Sequence, residues 1–279
     1  MTQTDKAELL RRLHNGPETL IIANAWDAAS ARVFEVAGLR AIGTSSAAIA
    51  YTLGYPDGQQ ISRREMLDAV AHIVRAVAVP VTADVEAGYG RTPETAAETA
   101  RQVIEAGAVG LNLEDMDSEL IPIETQVERL RAIRRVSADL GVPLVVNART
   151  DIFLAEIGPP ETRLERTLER LSAYRDAGAD CLFAPGVKDL ETIRALVREL
   201  RHPLNIIAVA GSASIPELHE IGVARVSVGS GPMRATLGLV QRIAAELLTT
   251  GTYSAMFHGA IPYADVNRMM ESTRTAEAD

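Results

Sequence analysis

The chain has 279 residues, 47% hydrophobic and only 4% aromatic, and 28 basic against 37 acidic side chains give it a formal net charge of −9. That length supports one large core or two ordinary ones, and the acidic balance speaks against a nucleic-acid or anionic-membrane partner. A single cysteine, Cys181, excludes an internal disulfide and a cysteine-based zinc site and suits a reducing compartment.

The opening "MTQTDKAELLRRLHNG" reads as a short amphipathic helix without the apolar core and cleavage site of a signal peptide. No apolar stretch approaches the length of a membrane span, so the expectation is a soluble, cytoplasmic protein. From there a pattern repeats: an apolar run ends in small or polar residues, a helical pattern follows, and a turn leads into the next run. The expected strands are "LIIANAWD" (20–27), "AIGTSS" (41–46), "PVTADVE" (80–86), "VGLNLED" (109–115), "PLVVNARTD" (143–151), "CLFAPG" (181–186), "PLNIIAV" (203–209) and "RVSVGSG" (225–231). Helices such as "PETAAETARQVIEAG" separate them, and Gly38, Gly107, Gly141, Gly178 and Gly222 stand where helix C-caps belong.

Strands alternating with helices imply βα units on a parallel sheet, and eight such units close a barrel. The alternative, an open doubly wound sheet, lacks its glycine-rich fingerprint after the first strand, where the chain reads "NAWDAAS". The expectation is a single (β/α)8 TIM barrel over residues 1–250, including the N-terminal and eighth helices, with a helical extension and tail over 251–279.

In such a barrel, polar residues at strand C-terminal ends line the active-site mouth. Those ends supply Asn24 and Asp27; Thr44, Ser45 and Ser46; Asp84 and Glu86; Asn112, Glu114 and Asp115; Asn147, Arg149 and Asp151; and Ser227, Gly229 and Ser230. Asp84 and Glu86, two apart in "VTADVEAGYG", point the same way if both are on the strand, and two buried carboxylates on one face repel unless they share a cation. Glu114 from the next strand, and Asp57 from "YTLGYPDGQQ", reach the same place. Hard oxygen ligands without histidine or cysteine suit Mg2+, or Mn2+, and magnesium keeps several waters, so some acids act through water. Arg149 is a fixed planar cation for a carboxylate or phosphonate, or a structural partner of Asp151 or Glu114. "GTSSAA" offers hydroxyls and backbone N–H groups for a carboxylate or oxyanion, and "VGSGPMRAT" opens a helix that suits a phosphate. The five histidines fall away from the strand ends, and Cys181 reads as core.

Taken in order, "NAWDAASARVFEVAGLRAIGTSS", "GYPDG", "ADVEAGYG", "VGLNLED", "NARTD" and "GVARVSVGSGPMRATLGLVQ" resemble the isocitrate lyase/phosphoenolpyruvate mutase superfamily over residues 15–250. The resemblance implies a barrel whose last helix, here "MRATLGLVQRIAAELLTTG", exchanges between subunits, commonly in a homotetramer built as a dimer of dimers. It implies that magnesium holds a small 2-oxo acid and that a C–C or P–C bond beside the keto group breaks or forms through an enolate. Carried over, Asp84 is the most direct metal ligand, with Asp57, Glu86 and Glu114 as direct or water-mediated partners. Thr44, Ser45, Ser46, Ala47, Asn147 and Arg149 correspond to the substrate-binding set, with Ser46, Arg149 and Glu114 the candidate catalytic residues.

Two features depart from that pattern. Glu86 stands where the family commonly has a second Asp, and the loop "DMDSELIPIETQ" contains none of the lysine, cysteine and histidine by which the lyases supply an acid. The leading expectation is a magnesium-dependent lyase of an oxaloacetate-decarboxylase kind, cleaving a C–C bond of a 2-oxo acid or related 2-hydroxy acid. A phosphonomutase or phosphonopyruvate-type P–C bond enzyme is the alternative, and a non-catalytic oligomeric barrel the third reading.

Overall fold

Each expected apolar run forms a strand, and each strand is shorter than its sequence signal. In the computed structural model, which describes residues 1–271, helix α1 (Gln3–His14) precedes β1 (Leu20–Ala25), α2 (Ala28–Val36), β2 (Ile42–Thr44), α3 (Ser46–Thr52), α4 (Arg63–Ala76) and β3 (Val81–Asp84). There follow α5 (Pro93–Glu105), β4 (Gly110–Glu114), a hairpin of β5 (Met116–Asp117) and β6 (Glu119–Leu120), α6 (Ile123–Asp139), β7 (Val145–Arg149), α7 (Pro160–Asp176) and β8 (Cys181–Phe183). The chain continues through α8 (Leu190–Leu200), β9 (Leu204–Ile207), α9 (Ile215–Ile221), β10 (Arg225–Ser227), α10 (Gly231–Thr249), α11 (Ser254–Phe257) and α12 (Tyr263–Glu271). Residues 272–279 of the expected tail lie outside the described residues.

Eight strands pair in the parallel order β1-β10-β9-β8-β7-β4-β3-β2, and β1 joins both β10 and β2 to close the barrel. Several helices start where side chains satisfy their first N–H groups: Thr2, Ser62, Thr92 and Ser214 each form a capping box, and Pro93 fills the first position of α5. Gly107 and Gly178 end helices at φ 87° and 98°, a region that costs a side chain dearly. Between strands and helices lies the apolar layer, with Val103, Leu111, Leu130, Ile133, Val146 and Leu171 at most 1% exposed. Burying each such side chain is worth about 1.5–3 kcal/mol. Among the described residues, no helix is long and apolar enough to cross a membrane.

The barrel interior is polar in one layer. Asn147, Asn205 and Arg225 are fully buried, and Arg225 has no carboxylate in ion-pair contact among the described residues; its Nη2 donates to Asn112 Oδ1 at 3.3 Å and its Nη1 lies 3.5 Å from His14 Nε2. Because the Leu10 carbonyl accepts from His14 Nδ1 at 2.8 Å, Nε2 is left as the acceptor for the guanidinium. At the other end of the chain α10 buries only Met233 against its own subunit. Leu237, Val240 and Leu247 stay exposed, as does Ile21 on β1, so an apolar face is left uncovered.

Burial first, and then Arg225, pull the His14 pKa from 6.5 down to about 4. The unfolded chain therefore takes up this proton below about 6.5 while the folded chain resists it. The stability tied to neutral His14 is complete above that pH and is lost as pH falls toward 4, by about 3 kcal/mol at most. In urea melts, His14→Gln should flatten the decline in stability between pH 6.5 and 4.5; an unchanged decline would remove His14 as its source.

Candidate active site

The stretch "VTADVEAGYG" leaves the strand sooner than its pattern suggests. β3 ends at Asp84, and Glu86, Gly88 and Tyr89 follow at φ 51°, 78° and 59°. Two non-glycine residues in the left-handed region cost about 1–3 kcal/mol each and persist only where neighbours fix them. Here they do. The Glu86 carboxylate accepts from Gln59 N, Tyr89 N donates to Gln59 Oε1 at 2.8 Å, and Thr99 Oγ1 donates to the Gly88 carbonyl at 2.8 Å. Arg129, fully buried on α6, donates to the carbonyls of Ala87 and Gly90. The expectation that Asp84 and Glu86 share a strand face is thus corrected: a turn, not strand alternation, brings Glu86 near Asp84.

Asp84 is fixed from three sides. Its N–H donates to Thr44 Oγ1 at 2.8 Å, while its Oδ2 accepts from Ser46 N at 3.1 Å and Ser46 Oγ at 2.8 Å. Its Oδ1 lies 3.5 Å from Asn112 Nδ2. Asn112 cannot easily turn over, because its Oδ1 accepts from Asn147 Nδ2 at 2.9 Å and from Arg225. Ser45 caps α3 by accepting from Ala48 N at 3.3 Å, which leaves the Ala47 N–H without a protein acceptor among the described residues. Asn24 spans β1, β2 and β10: its Nδ2 donates to the Thr44 carbonyl, and its Oδ1 accepts from Val228 N and Gly229 N. A Cβ at position 43 would fall 2.9 Å from Asn24 Nδ2, so Gly43 makes room for that bridge.

Arg149 ends β7 in a double clamp. Its Nε and Nη2 donate to the two oxygens of Asp151 at 2.6 and 2.7 Å, and its Nη1 lies 2.7 Å from Glu114 Oε2. Burial opposes the charge on Arg149, but Glu114 and Asp151 outweigh it and raise its pKa. Burial pushes the Glu114 carboxyl well up, against the pull of Arg149. Asp115 turns the opposite way, out of the barrel, to Arg170 Nε and the Tyr174 hydroxyl on α7, both at 2.6 Å.

A cavity of about 500 Å³ opens at the C-terminal ends of the strands, where Asn24, Ser45, Ser46, Ala47, Asp57, Asp84, Asn112 and Arg149 meet Ser227, Gly229 and Ser230. Among the expected site residues, Thr44, Glu86, Glu114 and Asn147 are not on its wall; Thr44, Glu114 and Asn147 hold Asp84, Arg149 and Asn112, which are, and Glu86 holds the backbone of Gln59. Asp27 and Asp115, expected at the mouth, serve instead as the N-cap of α2 and as the anchor of α7. Lys188 and Arg234 line the cavity and went unnoticed in the sequence. The available signal was slight: Lys188 is one of only two lysines in the chain. Cys181 is core as expected, its thiol pushed up to about 12 by burial.

The family model of phosphoenolpyruvate phosphomutase matches residues 10–248. A solved structure from Burkholderia cenocepacia J2315, described provisionally as a lyase/mutase, is 40% identical, covers 96% of both chains and superposes with a TM-score of 0.90. The structure of 2,3-dimethylmalate lyase, a PEP mutase/isocitrate lyase superfamily member, is 27% identical, covers 100% of this chain and 99% of its own, and gives a TM-score of 0.86. The oxaloacetate decarboxylase of Rhodopseudomonas palustris is 29% identical over 95% of this chain and 96% of its own.

The donor set decides what kind of cation fits. Among the described residues, no three His, Cys, Asp or Glu side chains converge tightly enough to enclose a metal ion alone. Negative charge is nonetheless unrelieved: burial, then Asp84 and Asp57, push the Glu86 carboxyl up to about 7, and Asp57 is raised by partial desolvation and by Asp84. A hard divalent cation that takes one or two carboxylates and keeps water elsewhere fits this set; a closed protein cage does not. With the cation chelated, ionised Glu86 costs stability, a cost absent below about 4.5 and complete above about 7, of roughly 3 kcal/mol. Glu86→Gln should therefore raise the melting temperature by several degrees at pH 8 in chelator, and it should reduce the further rise caused by added magnesium. A variant that melts lower in chelator would show that Glu86 is not under this strain.

Proposed function

The chain belongs to the phosphoenolpyruvate phosphomutase family and is an enzyme of the isocitrate lyase/PEP mutase superfamily, and on that premise we propose that it is a magnesium-dependent lyase of a small 2-oxo acid. The bond broken is the C–C bond that joins the carbon beside the keto group to the departing fragment, with oxaloacetate-like decarboxylation as the simplest case; a related 2-hydroxy acid is the other form the substrate can take. Asp84 carries the reading: two donors from Ser46 hold one of its carboxylate oxygens on the wall of the cavity. Magnesium, or manganese, bound there supplies a Lewis acid that stabilises enolate charge.

The chain's own groups do the rest. Ser46 keeps Asp84 aimed, while Asn112, locked by Asn147 and Arg225, offers Asp84 its amide rather than its carbonyl. Ala47 N–H and the hydrogens of Arg149 not engaged by Asp151 and Glu114 are available to the substrate carboxylate. Glu114 and Asp151 set the angle of that guanidinium, which as a planar fork needs a fixed plane to bind a carboxylate through two bonds. Phe183, Leu154 and Ile207 give the cavity apolar surface, which lowers its dielectric and strengthens every charge interaction inside. The oxaloacetate decarboxylase of R. palustris, which aligns with this chain over almost its whole length, supports the choice of substrate class.

The subunit exchange expected of α10 is part of the proposal: the uncovered Leu237, Val240 and Leu247 pack on a second copy in a homotetramer.

Titration calorimetry with oxalate, which mimics the pyruvate enolate in shape and charge, should show binding that requires magnesium. No binding with or without the metal would overturn the reading. Glu114→Gln should lower turnover at least about 100-fold, since it releases one side of the Arg149 clamp, with the thermal melt nearly unchanged; full turnover would remove Glu114 from the mechanism. Sedimentation should give about four times the 29.9 kDa chain mass, and Val240→Arg should lower it; a monomeric parent protein would refute the exchange.

A further inference from the structure

β4 and β7 pair as far as Glu114 and Arg149, and there the ladder between them stops. Just beyond it a side chain takes over. The Asp151 N–H donates to Asp115 Oδ1 at 3.1 Å, in place of a strand partner. The other oxygen, Asp115 Oδ2, accepts from Arg170 Nε and from the Tyr174 hydroxyl, each at 2.6 Å. Arg170 and Tyr174 are four residues apart on α7, so they share a face of the helix and reach one carboxylate together. The same residues fix the base of the hairpin after β4: Ile121 N donates to the Asp115 carbonyl at 2.8 Å, and Arg170 Nη2 donates to the Ile121 carbonyl. Asp115, Asp151, Arg170 and Tyr174 are all buried, so water is poorly placed to replace a donor that is lost.

Asp151 gives Arg149 its plane. Its two oxygens take Nε and Nη2, and Glu114 takes Nη1. Of the five N–H groups of a guanidinium, that leaves one on Nη1 and one on Nη2 for the cavity. Their direction follows the Asp151 carboxylate, which in turn follows a backbone tied to Asp115. We propose that Asp115, braced by Arg170 and Tyr174, is a positioning residue for substrate: from outside the barrel it sets the plane in which Arg149 meets a substrate carboxylate. This rests on the 2-oxo-acid reading above and adds to it three residues that are not on the cavity wall. An anchor for α7 alone would be served by the contacts to Oδ2. The bond from Asp151 to Oδ1 is what carries the constraint into the site. Magnesium lies off this path, because Asp84 is held by Thr44 and Ser46 instead.

The test compares the full-length wild-type protein with two variants. Tyr174→Phe keeps the ring beside Arg170 and deletes only the hydroxyl, and Leu171→Val trims a buried side chain of the same helix that takes no part in these hydrogen bonds. Calorimetry gives the Kd for magnesium alone and then the Kd for oxalate at saturating magnesium. Tyr174→Phe should weaken oxalate about tenfold, the effect usual for an outer partner that orients a binding group, with the magnesium Kd within about threefold. Leu171→Val should lower the melting temperature and leave both constants within about threefold. Hydrogen exchange of a peptide covering residues 149–153 should quicken in Tyr174→Phe and not in Leu171→Val. Should Tyr174→Phe fail to fold, Arg170→Lys carries the same comparison. A variant that melts lower but binds oxalate as the wild type does would make Asp115 an anchor only and overturn the proposal. Equal weakening by Leu171→Val overturns it too, since any loosening of α7 would then suffice, as does a loss of magnesium affinity alongside oxalate. Absence of magnesium-dependent oxalate binding by the wild-type protein is a different failure: it overturns the metal-held 2-oxo acid and the positioning role with it.

Discussion

The buried guanidinium of Arg129 holds the geometry of the mouth together. It reaches from α6 to the carbonyls of Ala87 and Gly90 and to Gln126 Oε1 at 2.5 Å, and among the described residues no carboxylate forms an ion pair with it. Burial lowers its pKa to about 10, which still leaves it charged at neutral pH. Backbone carbonyls, held by a turn that would otherwise relax, are its solvation. The dependence is mutual, because the left-handed residues after β3 stay in place only while that cation and Gln59 occupy them. The end of β3, and so the position of Asp84, follows from this arrangement.

A second consequence is that charge is segregated. Arg129 and Arg225 are buried beside neutral acceptors, while Asp57, Asp84 and Glu86 crowd one another with no ion pair among the described residues and only the field of Arg149 to relieve Asp57 and Glu86. A chain selected only for stability would exchange some of these partners, since leaving a buried charge unpaired costs several kcal/mol. Keeping them apart stores electrostatic cost at the site, which the divalent cation of the proposed mechanism would release on binding. Arg149 follows the reverse rule: it sits on the cavity wall but is already clamped, so in the proposed mechanism it would serve as an oriented donor more than as a free charge. That difference separates it from Lys188 and Arg234, which make no ion pair among the described residues.

Much of this was legible in the sequence. Eight apolar runs and their glycine stops are local signals, and local physics produced the eight strands. The strand ends were not legible, because residues past the last ladder bond are as small and β-prone as those within it; Ser46, expected on a strand, begins α3. Direction was the harder loss. Glu114 and Asp115 are neighbours, yet one turns to Arg149 and the other to Arg170 and Tyr174, which lie 55 and 59 residues downstream of it. No spacing rule encodes that choice, since it is made by packing between α7 and the barrel. Lys188 and Arg234 were hidden for a related reason: each is a lone cation outside the strands, and only closure of the ring brings them to the same cavity as the acids.

The loop after β4 bears on which chemistry the site suits. Its residues are committed to structure: Gln59 Nε2 donates to Asp117 Oδ1 at 3.4 Å, Arg91 Nη1 donates to the Asp117 carbonyl at 3.2 Å, and Arg91 Nη2 pairs with Glu119 at 3.0 Å. Acids tied up in this way, on a hairpin locked to the turn after β3, are poorly suited to deliver a proton to a departing carbanion. Cleavage that expels a carbanion needs such a proton at the moment the bond breaks. Loss of carbon dioxide does not: the electron pair moves into the enolate, the leaving group departs neutral, and protonation of the enolate can follow later from water. The acid missing from the loop, which first looked like a defect in the site, is therefore what a decarboxylase can best do without.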